Sequence, residues 1–287
     1  MSVEKQPAGV IHDIGYQRYT GARLGRAYAA RSLYVHSLRT ALGLGRGPKA
    51  KIFPWLAEGI LLLVAAIVTA VRAQTGTPVI GYAEFAGQLS FLLILFCAAT
   101  APELVSRDLR SGVLPLYFSR PIGRSDYAFG KLAGMVSATW LLLAVPQTLM
   151  FVGGAFSVKG FSAVWDEAIE YSQGLLASAL FALLFGAISI LIASLAGRRA
   201  VTAALIVVAF LVTTPVFGVL QAIGGETVRQ LAGLVNPVTL VLMTNGWITG
   251  DDLTDIGDFG PVYALTTLIA IAICVLLLLL RYRKVAR

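Results

Sequence analysis

The chain has 287 residues, of which 57% are hydrophobic and only 13% charged, with a mean hydropathy of +0.79. About a quarter of the residues in a soluble domain are charged, so a freely soluble enzyme or binding domain is excluded, and uncharged runs of bilayer length point instead to an all-α polytopic membrane protein. The net charge of +8 does not indicate nucleic acid, because Arg and Lys cluster just outside apolar runs, as cytoplasmic flanks do.

Residues 1–53 form a basic arm with nine Arg or Lys against Glu4 and Asp13. Between Leu24 and Leu42 the pattern is helical, with Leu24, Tyr28, Val35, Leu38 and Leu42 near one face, and Gly43, Gly45, Gly47 and Pro48 then stop it. The expectation is a helix in the inner interface that offers Arg23, Arg26, Arg31 and Arg39 to lipid phosphates. No cleavable leader is expected, since the first long apolar run begins only near Pro54.

Residues 54–287 read as one membrane domain with six spans, at about 54–73, 84–103, 128–153, 172–197, 200–221 and 259–280. Pro54 is expected at the first turn of span one. Glu58, one turn inside, is costly unless paired, and a cytoplasmic Arg is its expected structural partner. In span three, Pro146 and Gln147 suggest a kink and Gly153–Gly154 the outer end. The acidic stretch from Lys159 to Glu170 reads as an outer loop, and Pro215 as a bend in span five. From 222 to 258 the chain is uncharged in part but studded with Asn236, Pro237, Thr244, Asn245 and Gly246, which fits a re-entrant or surface helical pair better than a seventh span.

Charge supports that count. With six spans, both termini and the 103–131 and 198–199 connections lie inside, and these regions hold 20 of the 23 basic residues. A seventh span would put the terminal RYRKVAR outside, against the positive-inside rule.

No catalytic constellation appears. His12 and His36 lie in the basic arm without metal-ligand company, and the Asp251, Asp252, Asp255 and Asp258 cluster lacks calcium-loop spacing. Cys97 and Cys274 sit inside apolar runs as buried small hydrophobes. No GxxxxGK[ST] phosphate loop occurs, so ATP cannot be used by this chain in the usual way. The spans lack the mid-membrane charges of an ion-coupled carrier, and Ser178, Ser189, Ser194, Thr213 and Thr214 suit close helix packing.

The most informative stretch is Glu103–Lys131, a short basic amphipathic segment between two spans. Its pattern of Glu103, Arg110, Ser111, Gly112, Leu114, Ser119, Arg120, Pro121, Arg124, Tyr127, Gly130 and Lys131, followed far downstream by Asn236–Pro237, resembles the permease subunits of ABC-2-type ATP-binding-cassette transporters. Val113 departs from it, standing where Thr is common. The resemblance implies an interfacial helix, six spans, a coupling helix between spans two and three, and extracellular re-entrant helices before span six. It further implies two ABC ATPase subunits as partners and a second permease copy or a homologous permease. ATP and Mg are expected in the partner ATPase, with no cofactor or metal in this chain. The coupling contact would run over Ser111–Ser119, with Leu114, Leu116, Tyr117 and Phe118 as apolar anchors, Arg107, Arg110 and Arg120 for acidic partner groups, and Gly112 at the turn. Glu103 and Arg110 would brace the helix to the bundle, with Glu58 and Lys131 as further structural braces.

The resemblance implies export of an amphipathic, lipid-like, peptide or drug-like compound across a bacterial plasma membrane. A non-pumping channel or sensory subunit and an ion-coupled secondary transporter remain the alternatives. High Ala, Gly, Leu and Arg content fits a GC-rich, actinobacterial-like genome.

Overall fold

The computed structural model describes residues 21, 24–45, 47–119, 122–250 and 256–284, and these are all-helical. Helix α1 is Arg26–Ala41 and α2 is Pro48–Thr75; α3, Tyr82–Gln88, and α4, Ser90–Ala101, follow with a break at Leu89. A π-helical turn, Pro102–Ser106, leads into two short helices, α5 (Arg107–Ser111) and α6 (Leu114–Phe118). The long helices α7 (Arg124–Ser157) and α8 (Phe161–Leu195) form the centre. Beyond them come α9 (Arg199–Leu211), α10 (Thr214–Ile223), α11 (Glu226–Leu231), α12 (Pro237–Thr249) and α13 (Gly260–Lys284).

Among the described residues six helical segments are long and apolar enough to cross a membrane: Pro48–Thr75, Ser90–Ser111, Arg124–Ser157, Phe161–Leu195, Arg199–Ile223 and Gly257–Lys284. A further pair, Glu226–Val235 and Pro237–Thr249, is bent by 114° at Asn236. The bend has a local cause. Asn236 is extended and its Oδ1 accepts from the Val238 amide at 2.8 Å, capping α12, while Pro237 occupies the first helical turn where no amide is needed. The chain is therefore a six-span helical membrane protein with a re-entrant-like break before its last span.

Several boundaries differ from the sequence reading. Helix α2 begins at Pro48, not Pro54; Pro54 lies inside the helix and is buried. Span two does not end at Glu103, because a proline inside a helix removes one backbone bond and crowds the preceding turn. The strain is absorbed by the π turn at Pro102–Ser106, and the helical path continues to Ser111. Gly153 and Gly154 do not end span three; they admit close neighbours. A Cβ on Gly153 would collide with Thr69 Cγ2, and one on Gly154 would lie 2.5 Å from Glu167 Oε1. The supposed loop from Lys159 to Glu170 is mostly the first turns of α8. Its Glu167 is only 3% exposed, and both its carboxylate oxygens take the Arg72 guanidinium at 2.6 Å while the Tyr82 hydroxyl also donates to it. A charged stretch reads as a loop only until its countercharge is found.

The arm helix also turns out differently. Helix α1 packs on α7 through Leu33, Ser37 and Ala41, while Leu24, Tyr28 and Val35 of the expected apolar face are exposed. Gly130 and Gly134 of α7 make this approach possible; a Cβ on Gly134 would lie 2.6 Å from Ser37 Cβ. Cys97 is buried and unpaired, as is the half-buried Cys274.

Successive spans alternate in direction, so the starts of α2, α7 and α9 and the ends of α8 and α13 gather at one end. This is the basic end: Arg124 donates to the Arg283 carbonyl at 3.0 Å and Arg281 to the Ser194 carbonyl at 3.4 Å. The Arg72–Glu167–Tyr82 group lies at the opposite end of the same spans.

Candidate functional site

The elbow between α4 and α7 lies at the basic end, and its geometry is set from within. Ser106, in the π turn, donates to the Ala193 carbonyl at 3.0 Å and shares a hydrogen bond of 3.0 Å with Thr202, so the turn is fixed to both α8 and α9. Glu103 forms an ion pair with Arg199 at 2.7 Å. This corrects the expected Glu103–Arg110 brace: the partner comes from the next helical hairpin, and Arg110 is left exposed.

The main fastening is at Asp108. Its Oδ2 meets the Lys131 ammonium at 2.8 Å and accepts from the Tyr127 hydroxyl at 2.9 Å. Lys131 is only 3% exposed, so this is a charge that survives burial because it is paired. The same ammonium lies 5.4 Å from the centre of the Tyr127 ring, a cation–π distance. Tyr127 in turn packs edge-on against Tyr282 of α13 at 5.1 Å. One acid of α5 is thus tied to α7 and, through Tyr127, to the last span. Lys131, expected among the braces, is paired with Asp108 and lies against Tyr127; the sequence does not mark Asp108 or Tyr282 as its companions. The spacing of Asp108 from Lys131 gave no periodic signal, and only the Gly130–Lys131 opening of α7 hinted at a partner.

Gly112 ends α5 with φ of 66°, a left-handed conformation that a side chain would disfavour, and it reverses the chain into α6. Helix α6 has only five residues. Leu114 is buried, whereas Leu116 is 67% exposed. Tyr117 and Phe118 are half-buried against Tyr127, at ring separations of 5.5 and 6.1 Å. Three of the four expected apolar anchors therefore serve the protein's own core, and Leu116 is the one presented outward. Arg107, Arg110 and Ser111 of α5 are exposed as well. Arg120 and Arg23 lie outside the described residues, as do Asp251, Asp252 and Asp255.

The remaining expected residues are dispersed. Arg26 does not point at lipid phosphate: it forms a forked ion pair with Asp126, at 2.6 and 2.8 Å, and Asp126 also accepts from the Gly123 amide at 2.9 Å to start α7. Arg31 and Arg39 are exposed on α1. Among the described residues the expected cytoplasmic Arg partner of Glu58 does not appear, and its buried Oε1 takes no hydrogen bond. His36, on α1, has its pKa held below 6.5, first by partial burial and then by the nearby Lys131 charge. No group of three or more His, Cys, Asp or Glu converges in metal-binding fashion among the described residues.

Six apolar spans, a broken helical pair before the last, and a surface elbow locked to the bundle by a buried ion pair define a polytopic helical membrane protein. The chain belongs to the family described as ABC-2 family transporter protein, which it matches over residues 22–286. No curated protein matches it.

Proposed function

We propose that this chain is the permease subunit of an ATP-driven exporter, that two separate ABC ATPase subunits dock on the elbow of residues 107–119, and that a second permease chain completes the translocation path. The observation that supports this reading most is the Asp108–Lys131–Tyr127 fastening. An element that merely rested on lipid would not need a buried salt bridge to the third span. An element that must transmit force does, because a displacement of α5 and α6 is passed to α7 through Lys131 and Tyr127 and to α8 and α9 through Ser106.

On this reading the outward surface that meets the ATPase is small: Leu116 as apolar anchor, with Arg107 and Arg110 opposite acidic groups of the partner. Tyr117 and Phe118 contribute rigidity. ATP and Mg stay in the partner, and this chain takes no catalytic part. The basic end faces the cytoplasm of a bacterial cell, with both termini there, as the distribution of Arg and Lys supports. The cargo class is amphipathic, lipid-like, peptide or drug-like.

Leu116→Asp separates the two roles of the elbow. It should abolish co-purification of the ATPase while the purified permease keeps its melting temperature, since Leu116 contributes little to the core. Retention of the ATPase by a folded Leu116→Asp protein would remove the assignment of this surface.

A further inference from the structure

Behind the elbow, between it and the α8–α9 turn, lies a cleft of about 1030 Å³. Four arginines line it: Arg110 from α5, Arg198 and Arg199 from the turn, and Arg281 from α13. Of these, Arg199 has Glu103 as counterion. Arg281 spends its Nε on the Ser194 carbonyl, and Arg110 and Arg198 have no acidic partner among the described residues. With Arg199 neutralised by Glu103, three guanidinium groups from three parts of the chain line one opening, and an anion lying between them would relieve their mutual repulsion.

The depth of the cleft says which kind of anion. Leu195 ends one span and Arg199 begins the next, so only residues 196–198 connect them and the turn cannot leave the membrane surface. Arg281 likewise follows directly on the apolar run of the last span. All three regions therefore sit where phosphate headgroups lie. The walls of the cleft are apolar, formed by Leu109, Leu195 and Ala203. Past Ala203, α9 continues outward with a strip of small side chains, Ala204, Val207 and Val208, exposed or half-exposed. A charged mouth that opens onto a shallow apolar strip matches a headgroup phosphate joined to an acyl chain. The acidic surface of a soluble protein would not use the strip.

We propose that this cleft binds one anionic phospholipid, its phosphate held by Arg110, Arg198 and Arg281 and one acyl chain lying along α9. The lipid would then be a built-in wedge between the elbow and the fifth span. The site shares Arg110 with the elbow but not Leu116, and it does not rest on the ATPase contact.

The test uses the full chain purified in mild detergent and native mass spectrometry with phosphatidylglycerol or phosphatidylcholine as the probe. One phosphatidylglycerol should be retained, with phosphatidylcholine at least about tenfold weaker. Arg198→Gln with Arg281→Gln should weaken phosphatidylglycerol retention about thirtyfold, two surface guanidiniums' share. Lys159→Gln with Arg229→Gln, which removes the same charge from exposed sites on the opposite side of the protein, should change it by less than about twofold. Equal loss in that outer-side variant, or equal retention of the two lipids, overturns the proposal. Full displacement by soluble glycerol phosphate overturns it in favour of a soluble anion. Loss of the ATPase with lipid retention unchanged reassigns the arginines to a protein surface. Should the cleft variant not fold, the wild type decides: its preference for phosphatidylglycerol must collapse between about 0.05 and about 0.5 M salt, and a salt-independent preference refutes the site.

Discussion

Lys131→Met removes the ammonium from a pair in which Lys131 is 3% and Asp108 15% exposed. Breaking one side of a buried pair costs about 3–5 kcal/mol, because the other charge stays behind without compensation. Asp108 can turn partly towards water, so the lower end applies, about 3 kcal/mol. At ~2 °C per kcal/mol for a chain of this size, the melting temperature should fall by about 6 °C. Removing both charges, Asp108→Leu with Lys131→Met, leaves no buried ion. The residual cost is then the Tyr127 hydroxyl deprived of its acceptor, about 1 kcal/mol. The double variant should therefore be more stable than Lys131→Met alone by about 2 kcal/mol, or ~4 °C. Thermal melts of the wild type, Lys131→Met, Asp108→Leu and the double variant in one detergent measure this cycle. If Lys131→Met melts with the wild type, or if the second substitution adds to the loss, the fastening described here does not hold the elbow.

Tyr117→Asp with Phe118→Asp should destabilise the protein by several degrees, since both rings pack on Tyr127; thermal melts with unchanged midpoints contradict that packing. Gly154→Ala should loosen the Arg72–Glu167 pair, its Cβ lying 2.5 Å from Glu167 Oε1, whereas Gly59→Ala, with nothing within 4 Å, should be neutral or slightly stabilising. The two melts, run side by side, check the model of close approach against that of mere helix propensity. His36 is held more neutral in the fold than its usual value of 6.5. The folded state then binds fewer protons than the unfolded chain, so stability is greatest above pH 6.5 and declines as pH falls through that value towards the folded pKa. His36→Gln should flatten the melting profile over that window, and an unchanged slope assigns the acid sensitivity to other groups.

The spans were legible because bilayer-length apolar runs carry their own signal, and the 114° break at Asn236 because an Asn cap followed by Pro can hardly do otherwise. The Asp108 partner of Lys131 was not legible, because a lone acid in a basic segment looks like a solvated charge until the fold brings a lysine to 2.8 Å. The start of α8 was hidden for the same reason, with Arg72 supplying the charge that lets Glu167 be buried. Tyr117 and Phe118 looked like anchors for a partner since aromatic rings in an amphipathic segment suit an interface equally well; that Tyr127 claims both is a tertiary fact. On α1 the misreading came from choosing a face by its large side chains. The helix buries its small ones instead, Ser37 and Ala41 beside Leu33, because Gly130 and Gly134 let two backbones approach.

The most direct measurement is co-purification of the tagged chain from its own host in mild detergent, with partner subunits identified, ATP hydrolysis assayed, and Leu116→Asp purified in parallel. The account predicts a stoichiometric P-loop ATPase with the wild type, and its loss from a Leu116→Asp protein that melts normally. A wild-type preparation that carries no ATPase and turns over no nucleotide, or a Leu116→Asp protein that keeps its ATPase, would contradict it.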